Sequence, residues 1–233
     1  MTNDSRIPIT SNTDPGYTWS IAVVVGNGLF VLAWVVAAFW QGPHYSMLAH
    51  SISDMYAVGA PGAIFLIVVI TLSGIVVLLF TGLALWPALR RARWPAAAGS
   101  VLLAMSIFGL GDLLTPFERE ACRQADSGCT AADQVRNLGG RMDTVLSIGG
   151  LVLLVAAGFC LGGAMGRLPE WRRWAWPTRW VAGGILVLIV ATVRADSVGL
   201  GGLFERLVAA TGAAGIAVLA VGVIRASRTS TPG

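Results

Sequence analysis

Five carboxylates, Asp54, Asp112, Asp143, Asp196 and Glu205, each stand where a long apolar stretch meets a loop. A charge beside hydrocarbon is costly, so each needs a partner, a proton or a function. Asp112 is the sharpest case. It follows Gly109-Leu110-Gly111 and precedes Leu113-Leu114, so both flanks are apolar and the carboxyl sits below headgroup level. Arg141, Arg194 and Arg206 are the cations available near the same ends. Arg141-Met142-Asp143 and Arg194-Ala195-Asp196 repeat one pattern, in which the Arg and the Asp are two residues apart and do not share a helix face. Each would therefore pair with a neighbouring helix. Two readings follow. One is a ring of ion pairs that fixes the helix ends. The other is a polar pocket that binds a lipid headgroup, or performs acid–base chemistry on a lipid-borne substrate. In the second reading Asp54, Asp112, Asp143 and Asp196 carry the proton chemistry, and Arg141, Arg194, Arg206, His50 and Ser53 contact the ligand.

Other chemistries are less well supplied. In the stretch His44 to Asp54, a helix would align Ser46, His50 and Asp54 on one face at i, i+4 and i+8. These are the residue types of a nucleophile, a base and an orienting acid. One straight helix does not by itself bring them into a triad, and no Gly-x-Ser-x-Gly elbow is present. The bland reading is an interfacial segment with a polar face. Asp54, Asp112, Asp143 and Glu118 offer oxygen ligands for a hard cation, but no tight His/Asp motif accompanies them, so no metal is assigned. No phosphate loop, haem motif or nucleotide fingerprint occurs, and no cofactor is expected.

The elements that position these residues are membrane helices. Apolar residues make up 55% of the 233-residue chain and charged residues 12%, about half the charged share of a soluble domain. Six continuous apolar stretches, of which the fifth is short and borrows neighbouring residues at its ends to cross a bilayer, predict an all-α, integral membrane six-helix bundle. They run from Thr18 to Trp40, Ala63 to Trp86, Ala96 to Leu114, Thr144 to Met165, Trp180 to Val193 and Leu207 to Ile224. Barrel strands would alternate instead. Residues 1–16 read as a disordered polar tail, 17–225 as the transmembrane domain and 226–233 as a C-terminal tail.

All 16 basic residues are Arg. They crowd the loop between spans two and three (Arg90, Arg91, Arg93), the loop between four and five (Arg167, Arg172, Arg173, Arg179) and the C-terminal tail (Arg225, Arg228). By the positive-inside rule these segments and both termini are cytoplasmic. Nine of the 12 acidic residues, Asp112 included, lie in or at the edge of the loops at the opposite end. Basic residues placed this way contact membrane lipid, and no nucleic-acid partner is expected. Cys122 and Cys129 share one outward loop, which predicts a disulfide worth at most about 2–3 kcal/mol. Gly158, Gly162 and Gly166 form a small-residue stripe in the fourth span. The stripe packs inside the bundle or makes a homo-oligomer interface.

Several segments resemble the DUF998 family of small bacterial and archaeal six-span membrane proteins, whose function is not established. They are Ser51-Ile52-Ser53-Asp54-Met55 with Gly59-Ala60-Pro61, Gly109-Leu110-Gly111-Asp112 with Pro116-Phe117, and Gly202-Leu203-Phe204-Glu205-Arg206-Leu207. Their order along the chain, from the first outward loop to the sixth helix, carries the resemblance. It implies a multi-pass protein of a prokaryotic cytoplasmic membrane. Many members carry paired His where the fourth span begins, whereas this chain reads Arg141-Met142-Asp143-Thr144-Val145. A His-based or metal mechanism is therefore not carried over. The sequence leaves three classes open: a lipid- or isoprenoid-binding protein with carboxylate acid–base chemistry, a non-catalytic membrane subunit whose Asp–Arg ring stabilises the bundle, and a small transporter. No charge marks a path through the spans, which weighs against the last.

Overall fold

The structure, a computed structural model, describes residues 15–229. Expectations about the two tails largely lie outside those residues. Six helices are long and apolar enough to cross a membrane: α1 Pro15–Trp40, α2 Ala63–Ala92, α3 Trp94–Phe117, α4 Leu138–Met165, α5 Pro169–Asp196 and α6 Gly201–Ser227. Helices are the form these segments must take, because hydrocarbon offers the backbone no partner. Each packs against its sequence neighbours, and α1 closes onto α6, so the six stand in a ring. An even number of helices brings both ends of the described chain, residues 15 and 229, to one side. That side carries the Arg-rich loops; the other is called here the acidic end.

Several helices overrun the boundaries expected from hydropathy, and the overrun matters because it moves charges from loops into helices. α4 begins at Leu138 rather than Thr144, where Asn137 caps it by accepting a 2.7 Å hydrogen bond from Gly140 N. Asp143 is therefore in the second turn of a helix. α6 begins at Gly201 rather than Leu207, which brings Glu205 and Arg206 inside it. α5 is not a short span: its regular helix runs Arg172–Asp196. Its first turns carry three Arg and so fall below the hydropathy of a span.

α3 is interrupted. Ser106 is extended (φ −70°, ψ 176°), and the next five residues, Ile107–Gly111, form a wide π turn. The break is rewired locally: Ser106 Oγ donates to Leu103 O (2.7 Å), and Ser106 O accepts from Gly109 N (3.1 Å) and Gly111 N (3.2 Å). Two glycines let neighbouring helices close on this irregular backbone. A Cβ on Gly74 of α2 would lie 2.6 Å from Leu113 N, and one on Gly150 of α4 would lie 2.6 Å from Ile107 N. Gly150→Ala is expected to destabilise by about 1–3 kcal/mol through overpacking. Gly149→Ala, where nothing lies within 4 Å, is expected to be neutral or slightly stabilising. Thermal melts of the two variants in detergent check the pair, and equal melting points would contradict the close approach.

The glycine stripe is used within the chain. An added Cβ on Gly158 would lie 2.6 Å from Ala182 Cβ of α5, and one on Gly162 would lie 2.7 Å from Arg179 Cγ and 3.0 Å from Ala175 O. The stripe thus packs α4 against α5 over the Arg-rich half. Cys160 is half-buried and free, and Cys122 is bonded to Cys129 with Cα atoms 6.0 Å apart.

Candidate functional site

The loops at the acidic end, residues 41–62 and 118–137, fold over the ring as a lid. Their backbone polarity is met by buried side chains. Asp54, fully buried, accepts from the amides of Gln124 and Ala125 (3.3 Å to the latter). Arg119 donates to Tyr56 O and Ala57 O, both at 3.0 Å, and Arg123 donates to Gln41 O at 2.9 Å. Arg206 reaches up from α6 and donates to Met47 O and His50 O, each at 2.8 Å, and to the Tyr45 hydroxyl. The segment that would align Ser46, His50 and Asp54 is irregular rather than helical. His50 Nδ1 accepts from Ser46 N at 2.9 Å, and Asp54 is engaged elsewhere. No triad forms.

Beneath the lid lies a cavity of about 370 Å³ lined by residues from all six helices. Its walls toward the membrane midplane are apolar: Phe30, Ile70, Leu151 and Val208 line it together with Phe108, whose ring meets Phe30 edge-on at 5.8 Å. Its upper wall carries four carboxyls: Asp112 from α3, Glu118 just beyond it, Asp143 from α4 and Glu205 from α6. Ser53, Tyr56, Ser147 and Thr192 add hydroxyls. No Arg or His is among the lining residues. Ile148 of α4 and Val193 of α5 line the cavity yet are 64% and 73% exposed. The mouth therefore opens sideways, between α4 and α5, at the end where the glycine stripe no longer holds that pair together.

The carboxyls have few partners. Asp143 Oδ1 accepts from Tyr56 Oη at 3.2 Å, and Glu205 Oε1 accepts from Ile52 N at 3.0 Å. Asp112 is 7% exposed and Glu118 4% exposed, and Asp112 Oδ2 and Glu118 Oε1 have no hydrogen-bond partner. Behind the wall, Glu120 accepts from Gln134 Nε2 (2.7 Å) and Ser53 Oγ (3.1 Å). Among the described residues, no three His, Cys, Asp or Glu side chains are gathered to hold a metal ion.

The residues singled out from the sequence thus fall into three groups. Asp112 and Asp143 line the cavity, as does Ser53. Asp54 and Arg206 are buried but hold the lid, and His50 lies within it. Asp196, Arg141 and Arg194 are exposed, and Arg141 Nε donates to Val135 O at 3.2 Å. The expected Asp–Arg ring is not formed: the ion pairs among the described residues are Arg123–Asp126 and Arg136–Asp133, both within three residues in the lid. Glu118, Glu205, Tyr56 and Ser147 complete the wall. Ser147 had a signal, since it stands at i+4 from Asp143 on the same helix face. Tyr56 had none beyond its polar neighbours.

Burial, and next the charge of Asp143, pushes Glu118 up to about 8. Glu120 is likewise pushed up to about 8, by burial first and then by Asp143, against a smaller lowering by the Ser53 hydroxyl. A carboxyl whose pKa is raised on folding stabilises the fold below its unfolded value, near 4.5, and loses that stabilisation as pH rises through its folded value. The lid is therefore expected to lose stability progressively from about pH 4.5 to about pH 8 and to level off above, with the thermal midpoint falling by several degrees across that window. Asp54, Asp112, Asp143, Glu205 and Tyr56 face the same region, whereas Gln at 118 and 120 removes the two groups in question. A Glu118→Gln/Glu120→Gln double variant that melts with the same pH slope as wild type would contradict the assignment.

No curated protein and no solved structure matches this chain. The family described as "Protein of unknown function (DUF998)" matches residues 24–222, which takes in the lid, four of the six helices whole and most of α1 and α6. The chain, a six-helix membrane bundle with a carboxyl-walled cavity, belongs to the DUF998 family.

Proposed function

We propose that this protein takes an amphiphile, a lipid or an isoprenoid, from the bilayer into the cavity and exchanges protons with its head through the carboxyl wall. The observation that carries the reading is the cavity's polarity gradient. Apolar walls suited to a chain lead up to buried carboxyls, two of which have an unpartnered oxygen, and the exposed residues at the mouth, Ile148 and Val193, are apolar. A volume of about 370 Å³ is within the roughly 300–1,000 Å³ range of small-molecule sites. Asp112 and Asp143 are the groups for acid–base work, with Glu118 and Glu205 beside them; Tyr56 holds Asp143 in place. In the orientation favoured by the Arg-rich loops, the mouth opens to the outer leaflet of the cytoplasmic membrane.

Native mass spectrometry of the protein extracted in mild detergent tests this, with wild type beside Asp112→Asn. A co-purifying amphiphile on wild type, depleted in the variant, is the expected result. Bare protein in both, with added lipid extract leaving no adduct, would remove the reading.

A further inference from the structure

Four carboxyls in a buried wall with no basic residue among the cavity's lining pose a question of charge. Ionised, they repel one another in a medium that screens poorly. Protonated, they leave an oversupply of polar atoms facing an apolar chamber. Arg206, a buried cation outside the cavity's lining, gives Nη1 and Nη2 to four acceptors of the lid and of its own helix, Met47 O, His50 O, Gly202 O and the Tyr45 hydroxyl, and keeps only Nε unpartnered. The donors that reach the wall are one phenol, Tyr56 on Asp143, and one amide, Ile52 on Glu205. Asp112 Oδ2 and Glu118 Oε1, both more than nine-tenths buried, have none. What satisfies such a wall is a donor with positive charge attached to something apolar, matching the unpartnered oxygens above and the apolar lining below.

Resting on the amphiphile reading above, we propose that the head of the ligand is cationic: an ammonium on an apolar chain, held by Asp112 and Glu118, with Asp143 and Glu205 completing the charge. An ammonium presents up to three N–H donors to these oxygens, and its charge offsets the repulsion among them. A phosphate or carboxylate head meets a wall of its own sign. A hydroxyl head supplies one donor and no charge. A wall carboxyl that holds a proton releases it on binding: the R–CO₂H that takes up an ammonium contact becomes R–CO₂⁻ and gives its proton to water. Glu118, poised near 8, is able to do so at neutral pH. Asp112, Asp143, Glu205, Glu120 and Tyr56 are the other titratable groups facing that site.

The test uses full-length protein in nanodiscs of zwitterionic lipid and three probes with one tail: dodecylamine, dodecanol and dodecyl phosphate. Isothermal titration at pH 7 in two buffers of different ionisation enthalpy reads affinity and proton release together. Dodecylamine is expected to bind about tenfold or more tightly than dodecanol, dodecyl phosphate most weakly, with net proton release on amine binding alone. Glu118→Gln and Asp112→Asn are expected to remove most of the amine's advantage and leave dodecanol unchanged. Equal binding of amine and alcohol, or tighter binding of the phosphate, overturns the cationic head while the amphiphile reading stands. Saturable binding of none of the three overturns both. The headgroup comparison needs wild type only, so a variant that fails to fold does not decide it.

Discussion

Asp112→Leu is expected to raise the thermal midpoint of the protein while abolishing ligand binding. The carboxyl is 7% exposed, one of its oxygens has no partner, and Arg141, Arg194 and Arg206 are all engaged or exposed elsewhere. A buried polar group left unsatisfied costs about 1–3 kcal/mol, and an apolar replacement of similar size recovers it. Leucine has the same number of side-chain heavy atoms and the same branching, and the cavity beside Asp112 gives its bulkier methyl groups room. The expected gain is therefore about 1–3 kcal/mol, a rise of several degrees for a chain of this length. Asp112→Asn keeps the shape and the polar atoms, so its stability should stay near wild type. A residue kept against stability in this way is one retained for what it binds. The measurement is a pair of melts in detergent with a ligand-adduct assay on the same samples. A leucine variant that melts well below wild type would make Asp112 a structural group, and the proposed function would lose its principal residue.

How much of this could be read from the chain is best judged on Asp54, Asp112 and Asp196, three residues of one type at three helix–loop junctions. Hydropathy located all six spans and the end at which the acidic groups collect, because burial in lipid is a property of long windows. It did not locate helix starts. The first turns of α4, α5 and α6 are polar or glycine-rich and so escape a hydropathy window, and at α4 the start is set by the Asn137 cap. The three aspartates separate only in three dimensions. Asp54 meets the amides of Gln124 and Ala125, about seventy residues away, in a lid that local sequence does not encode. Asp196 ends in water, and Asp112 faces the chamber. The break at Ser106 was also illegible. No proline announces it, and the glycines that permit it belong partly to α2 and α4. The motif Gly109-Leu110-Gly111-Asp112 was visible in the sequence, but its reason, a wide turn that swings Asp112 into the ring, was not. The disulfide was legible because two cysteines shared one loop.

Arg206 is where the charge pattern of the sequence most misdirects, and its replacement is expected to have the largest effect of any substitution in the lid. Glu205 and Arg206 are adjacent, so on a helix their side chains leave about 100° apart. Glu205 lines the cavity, and Arg206 turns toward α1 and the first loop. There its guanidinium lies 5.7 Å from the Trp34 ring centre and 6.0 Å from that of Tyr45. One nitrogen, Nη1, donates to three carbonyls at 2.8 Å, and Nη2 donates to the Tyr45 hydroxyl. Removing the side chain leaves those acceptors buried without a donor and opens a void against Trp34. Arg206→Ala is therefore expected to destabilise by about 3–5 kcal/mol, the range for breaking a buried charged network. Arg206→Lys should recover only part of that, because an ammonium cannot reproduce the planar fork or the stacking. The loss should also reach the site. Ile52, whose amide holds Glu205, follows His50 by two residues in the same loop, so loosening the loop frees that carboxyl and raises the roof of the cavity. The expected signature is a lower melting point together with weakened adduct formation at temperatures where the bundle remains helical by circular dichroism. An alanine variant that melts within a degree of wild type would show that the lid does not depend on this arginine.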